Sequence, residues 1–321
     1  MRHRPLVTLI VPGFDVAPYA PEALASLQAQ TLTNWVAILV DDASSDATGA
    51  IFERAAAADP RFRAVRLSRC GGLGAARNIG LGHVETPYVG FLDADDVLMP
   101  GALARLVGML EASGSDFVLG AYVRLRPNAD GGYSAGEVQP WIAAATAPER
   151  IGTTIDAHPE ASANIVAWSK VSRHDFWVRH GLRFPEGKLY EDQIVAQTMY
   201  ARARRFDVVP DVIVQWRVRA DGSSITQREA QLDVLRDCLE AMEAGLCVLE
   251  TTGHALAAQV RVRTILTMDL PRLSQIARDH PSGAYRYALG QFARGMADRA
   301  VAARIGLPPE AETALTEACG W

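Results

Sequence analysis

Four short apolar runs in the first hundred residues limit most strongly what this chain can fold into. Leu6-Val7-Thr8-Leu9-Ile10-Val11, Trp35 to Val40, Phe62 to Leu67 and Tyr88 to Leu92 each read as a strand. The first is β-rich without polar alternation, as expected of a strand covered on both faces. Helical patterning fills the gaps: Pro21 to Gln30 with Leu24 and Leu27 on one side, a segment opening at Ser45 or Asp46, and Gly74 to Gly82. Ser and Asp suit an N-cap, which places the start of the second helix there. Strand and helix alternating over short connections imply an α/β protein with a mostly parallel central sheet flanked by helices.

A Gly-, Asn-, Asp- and Ser-rich stretch from Pro127 to Gly136 reads as a loop or hairpin turn. Beyond about Ser224 the strand signal ends. Leu232, Leu235, Leu239, Met242, Leu246 and Leu249 recur in alternating steps of three and four, an amphipathic helix seam. Further helical segments run through Ala255 to Leu270 and Ala284 to Ala303, punctuated by Pro271, Pro281 and Pro308. The expected division is an α/β unit over residues 1–226 and a helical C-terminal subdomain over 227–321. The seam must be covered, either within the chain or by a second copy, so the protein is expected to be a monomer or homodimer.

Composition removes several classes of function. The chain is 49% hydrophobic and 21% charged, ordinary for a globular protein, and 37 acidic against 32 basic residues give a net charge of −5. That balance argues against a nucleic-acid partner. No apolar stretch approaches the roughly 20 residues of a transmembrane segment. Met1-Arg2-His3-Arg4-Pro5 is basic, but Leu6 to Val11 is too short for a signal-peptide core. The expected location is cytoplasmic, free or peripheral at the inner membrane face. Cys70, Cys238, Cys247 and Cys319 lack metal-site spacing and read as buried free thiols. His158, His174 and His180 also lack it.

The stretch "GFLDADDVLMP" places three carboxylates, Asp93, Asp95 and Asp96, directly after the fourth apolar run. Like charges at the end of a buried segment resist desolvation and need compensation. Asp41-Asp42 ends the second run, and ligands of parallel α/β sheets bind outside the carboxyl ends of the strands. An Asp-x-Asp on a loop can bring two carboxylates to one divalent ion, and hard oxygen ligands suit Mg2+ or Mn2+. Alone, the tripeptide reads rather as a cap for a helix starting near Pro100. Two acidic strand ends on one rim favour the ion. The glycine-rich stretch Cys70 to Gly80 enters a helix but carries Arg77 where a dinucleotide fingerprint has its third glycine. Such a turn can approach phosphates with Arg77 as their partner, or simply pack closely and leave Arg77 exposed.

The segments "TLIVPGFDVAPYAPEALASLQAQTLTNWVAILVDDASSDAT", "GGLGAARNIGL", "YVGFLDADD" and "KLYEDQ", in this order, resemble the family 2 inverting glycosyltransferases of GT-A fold. The likeness covers residues 5 to about 226, and the stretch from Trp168 to Thr226 is similar to members that build wall teichoic acid and capsular glycans. It implies an enzyme that transfers a hexose or N-acetylhexosamine from a nucleotide-diphosphate sugar, with UDP the usual carrier. It also implies roles. Pro12 and Phe14 match a strand-end motif whose aromatic ring lies near the base; Phe14-Asp15 stands here for the common Tyr-Asn. Asp42 matches the carboxylate that accepts a hydrogen bond from the base. Asp93, Ala94 and Asp95 match the Asp-x-Asp signature, with Asp93 at ribose or sugar, Asp95 on Mn2+ or Mg2+, and Asp96 on sugar hydroxyls. Arg77 matches a position near the donor sugar and diphosphate, and Arg217, Arg219 and Ser224 a flexible segment that covers the diphosphate. Asp192 matches the catalytic base, with Glu191 orienting the site or binding the acceptor.

Departure of a nucleotide diphosphate develops negative charge that a metal and arginines stabilise. The attacking hydroxyl must lose its proton on the opposite side of the sugar, which gives Asp192 its task; on its own, Asp192 reads also as a helix N-cap. Trp168 and Lys170 are expected at the acceptor, as a sugar platform and a phosphate contact, with core packing the other reading. The acceptor itself stays open among glycan, polyol-phosphate polymer and small molecule. A sugar-phosphate nucleotidyltransferase is the alternative enzyme, but Pro12-Gly13-Phe14-Asp15 lacks the basic glycine loop that class needs after its first strand. A non-catalytic relative need not keep Asp93, Asp95 and Asp192 together.

Overall fold

The computed structural model describes residues 4–224 and 227–321. The basic opening Met1-Arg2-His3 and the expected boundary at residue 226 lie outside the described residues. The α/β part runs β1 (Val7–Gly13), α1 (Ala20–Gln28), β2 (Trp35–Asp41), α2 (Thr48–Ala58), β3 (Phe62–Arg66), α3 (Leu73–Leu81), β4 (Tyr88–Phe91), β5 (Val97–Leu98), α4 (Ala102–Ser113), β6 (Phe117–Pro127) and β7 (Tyr133–Ala135). It continues through α5 (Pro140–Thr146), β8 (Arg150–Thr153), β9 (Lys170–Arg173), α6 (His174–His180), α7 (Asp192–Arg202) and β10 (Phe206–Arg217). Helices α8 (Leu232–Thr251), α9 (Ala255–Thr264), α10 (Leu270–Arg278), α11 (Gly283–Ala302) and α12 (Pro309–Cys319) follow.

The sheet order is β3-β2-β1-β4-β9-β6-β10-β5, with β7 on β6 and β8 on β10. β1, β2, β3 and β4 are parallel, as are β6 and β10. β9 lies antiparallel between β4 and β6, so β6 and β10 point the same way as β1 to β4. Only β9 and the short β5, β7 and β8 run against them. Six strands therefore deliver their carboxyl ends to one rim, bringing the ends of β6 and β10 alongside the acidic ends of β2 and β4. All of β1 is buried, as its unbroken apolar run implies. Pro127 to Gly136 closes as the hairpin between β6 and β7, with Asn128 N–H donating to Gly132 C=O at 2.8 Å.

Helix α2 begins at Thr48, later than the expected Ser45 or Asp46. The Asp46 carboxylate still serves it, accepting the Thr48 N–H at 2.8 Å. The helix expected to break at Pro271 does not break. α9 passes through a π-helical turn (Ile265–Asp269) into α10, whose first turn holds Pro271. The missing N–H costs little in a first turn, and the widened turn makes room for the ring. The cysteines also depart from expectation: Cys238 alone is buried, Cys319 is half-buried, and Cys70 and Cys247 are exposed. Cys247 follows Leu246 and so points off the seam, while Cys70 sits in the loop before α3.

Leu235, Leu239, Met242 and Leu246 of the seam enter a second core with Val262, Leu273, Tyr285, Leu289 and Met296. Leu249 packs into the main core instead, and Leu232 is half-buried at the margin. The seam is thus covered by the chain's own helices. Among the described residues no helix is long and apolar enough to cross a membrane.

Helix α3 lies close on β1: a Cβ added at Gly80 would fall 2.3 Å from Ile10 Cγ2. Gly80→Ala should lower stability by about 1–3 kcal/mol through overpacking. Ile10→Ala in the same chain should return part of the loss, because each side chain vacates what the other needs. Urea unfolding of the two single variants and the double variant checks the coupling; strictly additive losses would show that the contact is not tight.

Candidate active site

The rim is organised by carboxylates that hold backbone. Asp42, 3% exposed, accepts the Gly71 N–H and the Gly72 N–H, each at 2.8 Å, and the Cys70 thiol at 3.2 Å. It pins the loop in which Gly72 takes φ +84°, a conformation that favours glycine. Asp15, left-handed at φ +47°, accepts the Ser45 N–H at 2.8 Å and the Asp46 N–H at 3.2 Å, tying the end of β1 to the loop after β2. Between them the Phe14 ring stands 46% exposed. Pro12 C=O accepts the Ala94 N–H at 3.1 Å, so the Asp93-Ala94-Asp95 turn is moored to β1 by the buried residue at its centre.

The three clustered acids have partners from distant elements. Arg77, fully buried on α3, donates to Asp93 Oδ1 at 2.7 Å and to Glu191 Oε1 through its other terminal nitrogen. Arg219 Nε donates to Asp95 Oδ2 at 2.7 Å. Asp96 accepts the Arg217 N–H at 2.8 Å, while its buried Oδ2 has no partner. Arg217 Nε reaches Asp95 C=O at 2.6 Å, and its guanidinium stacks on Tyr133 at 4.4 Å and faces Tyr19 at 5.4 Å. Neither tyrosine was marked by the sequence patterns. The reading of Arg77 as exposed is corrected: two acids hold it inside, and their charges push its pKa above the ordinary value despite burial. Ser224 is half-buried, its N–H donating to Gln227 Oε1 at 3.1 Å; among the described residues no hydrogen bond joins it to the acids.

Burial pushes the Asp96 carboxyl well above the usual range, with Asp95 and Asp93 adding repulsion. Burial likewise raises Asp95, against the pull of Arg219. An orphaned buried oxygen beside raised carboxyls suits a hard divalent cation. Among the described residues no three potential ligands surround one point, so such an ion would take most of its ligands from elsewhere.

The Glu191-Asp192 pair sits where a turn enters α7. Tyr190 adopts φ +58°, costly for a non-glycine residue. Helix α8 and the turn before it hold it there. Asp237 accepts the Leu189 N–H at 3.1 Å, Lys188 Nζ reaches Asp237 at 3.2 Å and Glu240 at 2.8 Å, and Tyr190 O–H reaches Glu229 at 3.1 Å. Asp192 is the first residue of α7 and makes no side-chain cap, so the capping alternative falls away. Its pKa is raised by burial, opposed first by Arg77; Lys170 and the Ala167 N–H also favour the charged form. Burial pushes Glu191 to about 7, against Arg77.

Lys170 is corrected as an acceptor contact. It is 3% exposed and spends its ammonium on Asn164 C=O at 2.8 Å, Asn164 Oδ1 at 2.9 Å and Val166 C=O at 2.7 Å. The amine thereby braces the loop that carries Ala167, and burial lowers its pKa to about 7. Trp168 packs against Tyr122 at 4.6 Å and Trp216 at 6.3 Å.

A family model described as Glycosyl transferase family 2 matches residues 8–209. The chain is 28% identical over 312 residues to the succinoglycan biosynthesis protein ExoO of Rhizobium meliloti (strain 1021), covering 94% of this chain and 86% of that protein. It spans about a third of the length of the first curated relative it matches, at 39% identity over 114 residues. The fold is shared with S. aureus TarS in complex with UDP-GlcNAc (TM-score 0.76, 21% identity, 98% of this chain and 88% of that chain). The mannosyltransferase PcManGT of Pyrobaculum calidifontis in complex with GDP-Man and Mn2+ is more distant (TM-score 0.58, 18% identity, 99% and 87%).

Two outcomes follow from the buried charges. Arg77→Leu strands Glu191 and should cost about 3–5 kcal/mol, whereas Arg77→Leu with Glu191→Leu should lose much less; urea unfolding of both variants decides, and equal losses would remove the pair from its structural role. Glu191 titrates at 4.5 ordinarily and about 7 when folded, so between those values the native state holds a proton the unfolded chain has released. Stability should therefore fall as pH rises from about 4.5 to about 7. In Glu191→Gln that slope should flatten, as melting temperatures across the window would register.

Proposed function

The chain belongs to glycosyl transferase family 2, and we propose that it is a metal-dependent inverting transferase that uses a UDP-sugar, with Asp192 as its base. The observation that carries this reading is the separation of the two acidic groups. Asp93, Asp95 and Asp96 lie at the rim with Arg217 and Arg219, and Asp192 lies at the start of α7, with Arg77 spanning between them. The likeness to a UDP-GlcNAc complex supports the donor class, and the likeness to a Mn2+ complex supports the ion.

In this reading residues 1–226 carry the chemistry and residues 227–321 brace it. Phe14 and Asp42 hold the nucleotide base, with Pro12 and Asp15 shaping that end. Asp93 and Asp96 hold ribose and sugar hydroxyls, and Asp95 holds the ion. A bound Mn2+ or Mg2+ would offset charge on the departing diphosphate. Arg219 is within reach of the same region and can exchange Asp95 for a phosphate oxygen, with Arg217 beneath it. Asp192 takes the proton from the acceptor hydroxyl as that oxygen bonds to the anomeric carbon and the diphosphate leaves from the opposite face. Glu191, paired with Arg77, holds the site's shape.

Screening nucleotide sugars with and without Mn2+ tests the donor and the ion together: Asp95→Asn should lose metal-dependent nucleotide binding, and full wild-type turnover after chelation would refute the ion. Asp192→Asn should lower turnover about 10²- to 10⁴-fold with donor affinity near wild type. The linkage formed from an α-linked donor should be β by NMR. An α product, or a fully active Asp192→Asn enzyme, would overturn the mechanism.

A further inference from the structure

Arg124 is an arginine near the site that has no acidic partner among the described residues. It lies near the end of β6, half-buried, directly beside Trp216 of β10, with its guanidinium carbon 5.2 Å from the indole ring. Among the described residues no carboxylate pairs with it and no side-chain hydrogen bond engages it. Arg126, two residues on and on the same face of the strand, is also without an acid among them, and the two repel. Arg77, Arg217, Arg219 and Arg272, by contrast, each have an acidic partner. In a chain with excess acid, a half-buried guanidinium lacking a counter-ion bears a desolvation cost that an external oxyanion would relieve.

The position of Arg124 points to the source of that oxyanion. Ala167 and Asp192 line one small cavity, the residue after Ala167 is Trp168, and the Trp168 ring packs against Tyr122 and Trp216. Trp216 in turn carries Arg124. An aromatic wall therefore leads from Asp192 to the arginine. Trp168 and Tyr122 are buried, which leaves the half-buried Trp216 as the ring available to a ligand. The rim acids and Arg219 belong to other loops, so an anion at Arg124 need not compete with a donor diphosphate there.

We propose that Arg124 and Trp216 form an acceptor subsite for an oxyanion: the acceptor is a sugar or polyol chain bearing a phosphate or carboxylate beside the unit that reacts. The proposal rests on Asp192 marking the acceptor side. The guanidinium would bind the oxyanion through charged hydrogen bonds while the indole packs on the adjoining ring or chain.

The test titrates the full chain with methyl glucoside 6-phosphate, methyl glucuronide and neutral methyl glucoside, following tryptophan fluorescence. At least one anionic probe should bind about tenfold or more tightly than the neutral one. That advantage should shrink with added salt, vanish in Arg124→Gln and persist in part in Arg124→Lys, while UDP-sugar hydrolysis stays unchanged. Preference for the phosphate or the carboxylate identifies the group. Equal binding of all three probes, no saturable binding of either anion, or an undiminished advantage in Arg124→Gln would overturn the proposal. The salt dependence of the wild type decides the matter even if a variant fails to fold. Failure of the underlying reading shows separately, as normal turnover by Asp192→Asn.

Discussion

A single buried guanidinium sets the geometry of this rim. Arg77 leaves α3 and meets Asp93, just beyond β4, and Glu191, just before α7. An arginine stays charged at any ordinary pH, so burying it obliges two acids to converge, and the acids bring their loops with them. The elements around α3 are fitted to this depth. A Cβ at Gly74 would fall 2.1 Å from Pro185 C=O, and Asn78 both donates to Phe184 C=O at 2.8 Å and accepts the Phe184 N–H at 3.0 Å. The helix, the 184–186 loop and the turn before α7 are thus locked in one arrangement, and the distance across the cleft follows from the length of one side chain.

How far the sequence could be read depended on whether a feature was local. Strands β1 to β4 and the shared acidic rim were legible because buried strands leave continuous apolar runs and acids at their ends stand out. The sequence likeness reached the family itself. The fate of Arg77 was not legible, since exposed and buried arginines look alike until their partners 16 and 114 residues away are brought together. Lys170 misled for the same reason: two of its three acceptors are backbone carbonyls, of residues 164 and 166, and no pattern of side chains announces them. Tyr190 at φ +58° is a conformation that composition does not predict, because tertiary bonds impose it. Pro271 kept its helix through a π-helical turn, a choice made by packing rather than propensity.

The hydrogen bonds from Leu189, Lys188 and Tyr190 to Asp237, Glu240 and Glu229 have a consequence for inheritance. A C-terminal helical segment that only filled a surface would be a cassette, exchangeable between relatives at the linker after β10. Here three neighbouring residues of the turn before α7 take their partners from that segment, so a swapped segment would have to present the same acids in the same register. Recombination at the linker is therefore disfavoured, and the two parts are constrained to diverge together, change in one being tolerated only as the other adjusts.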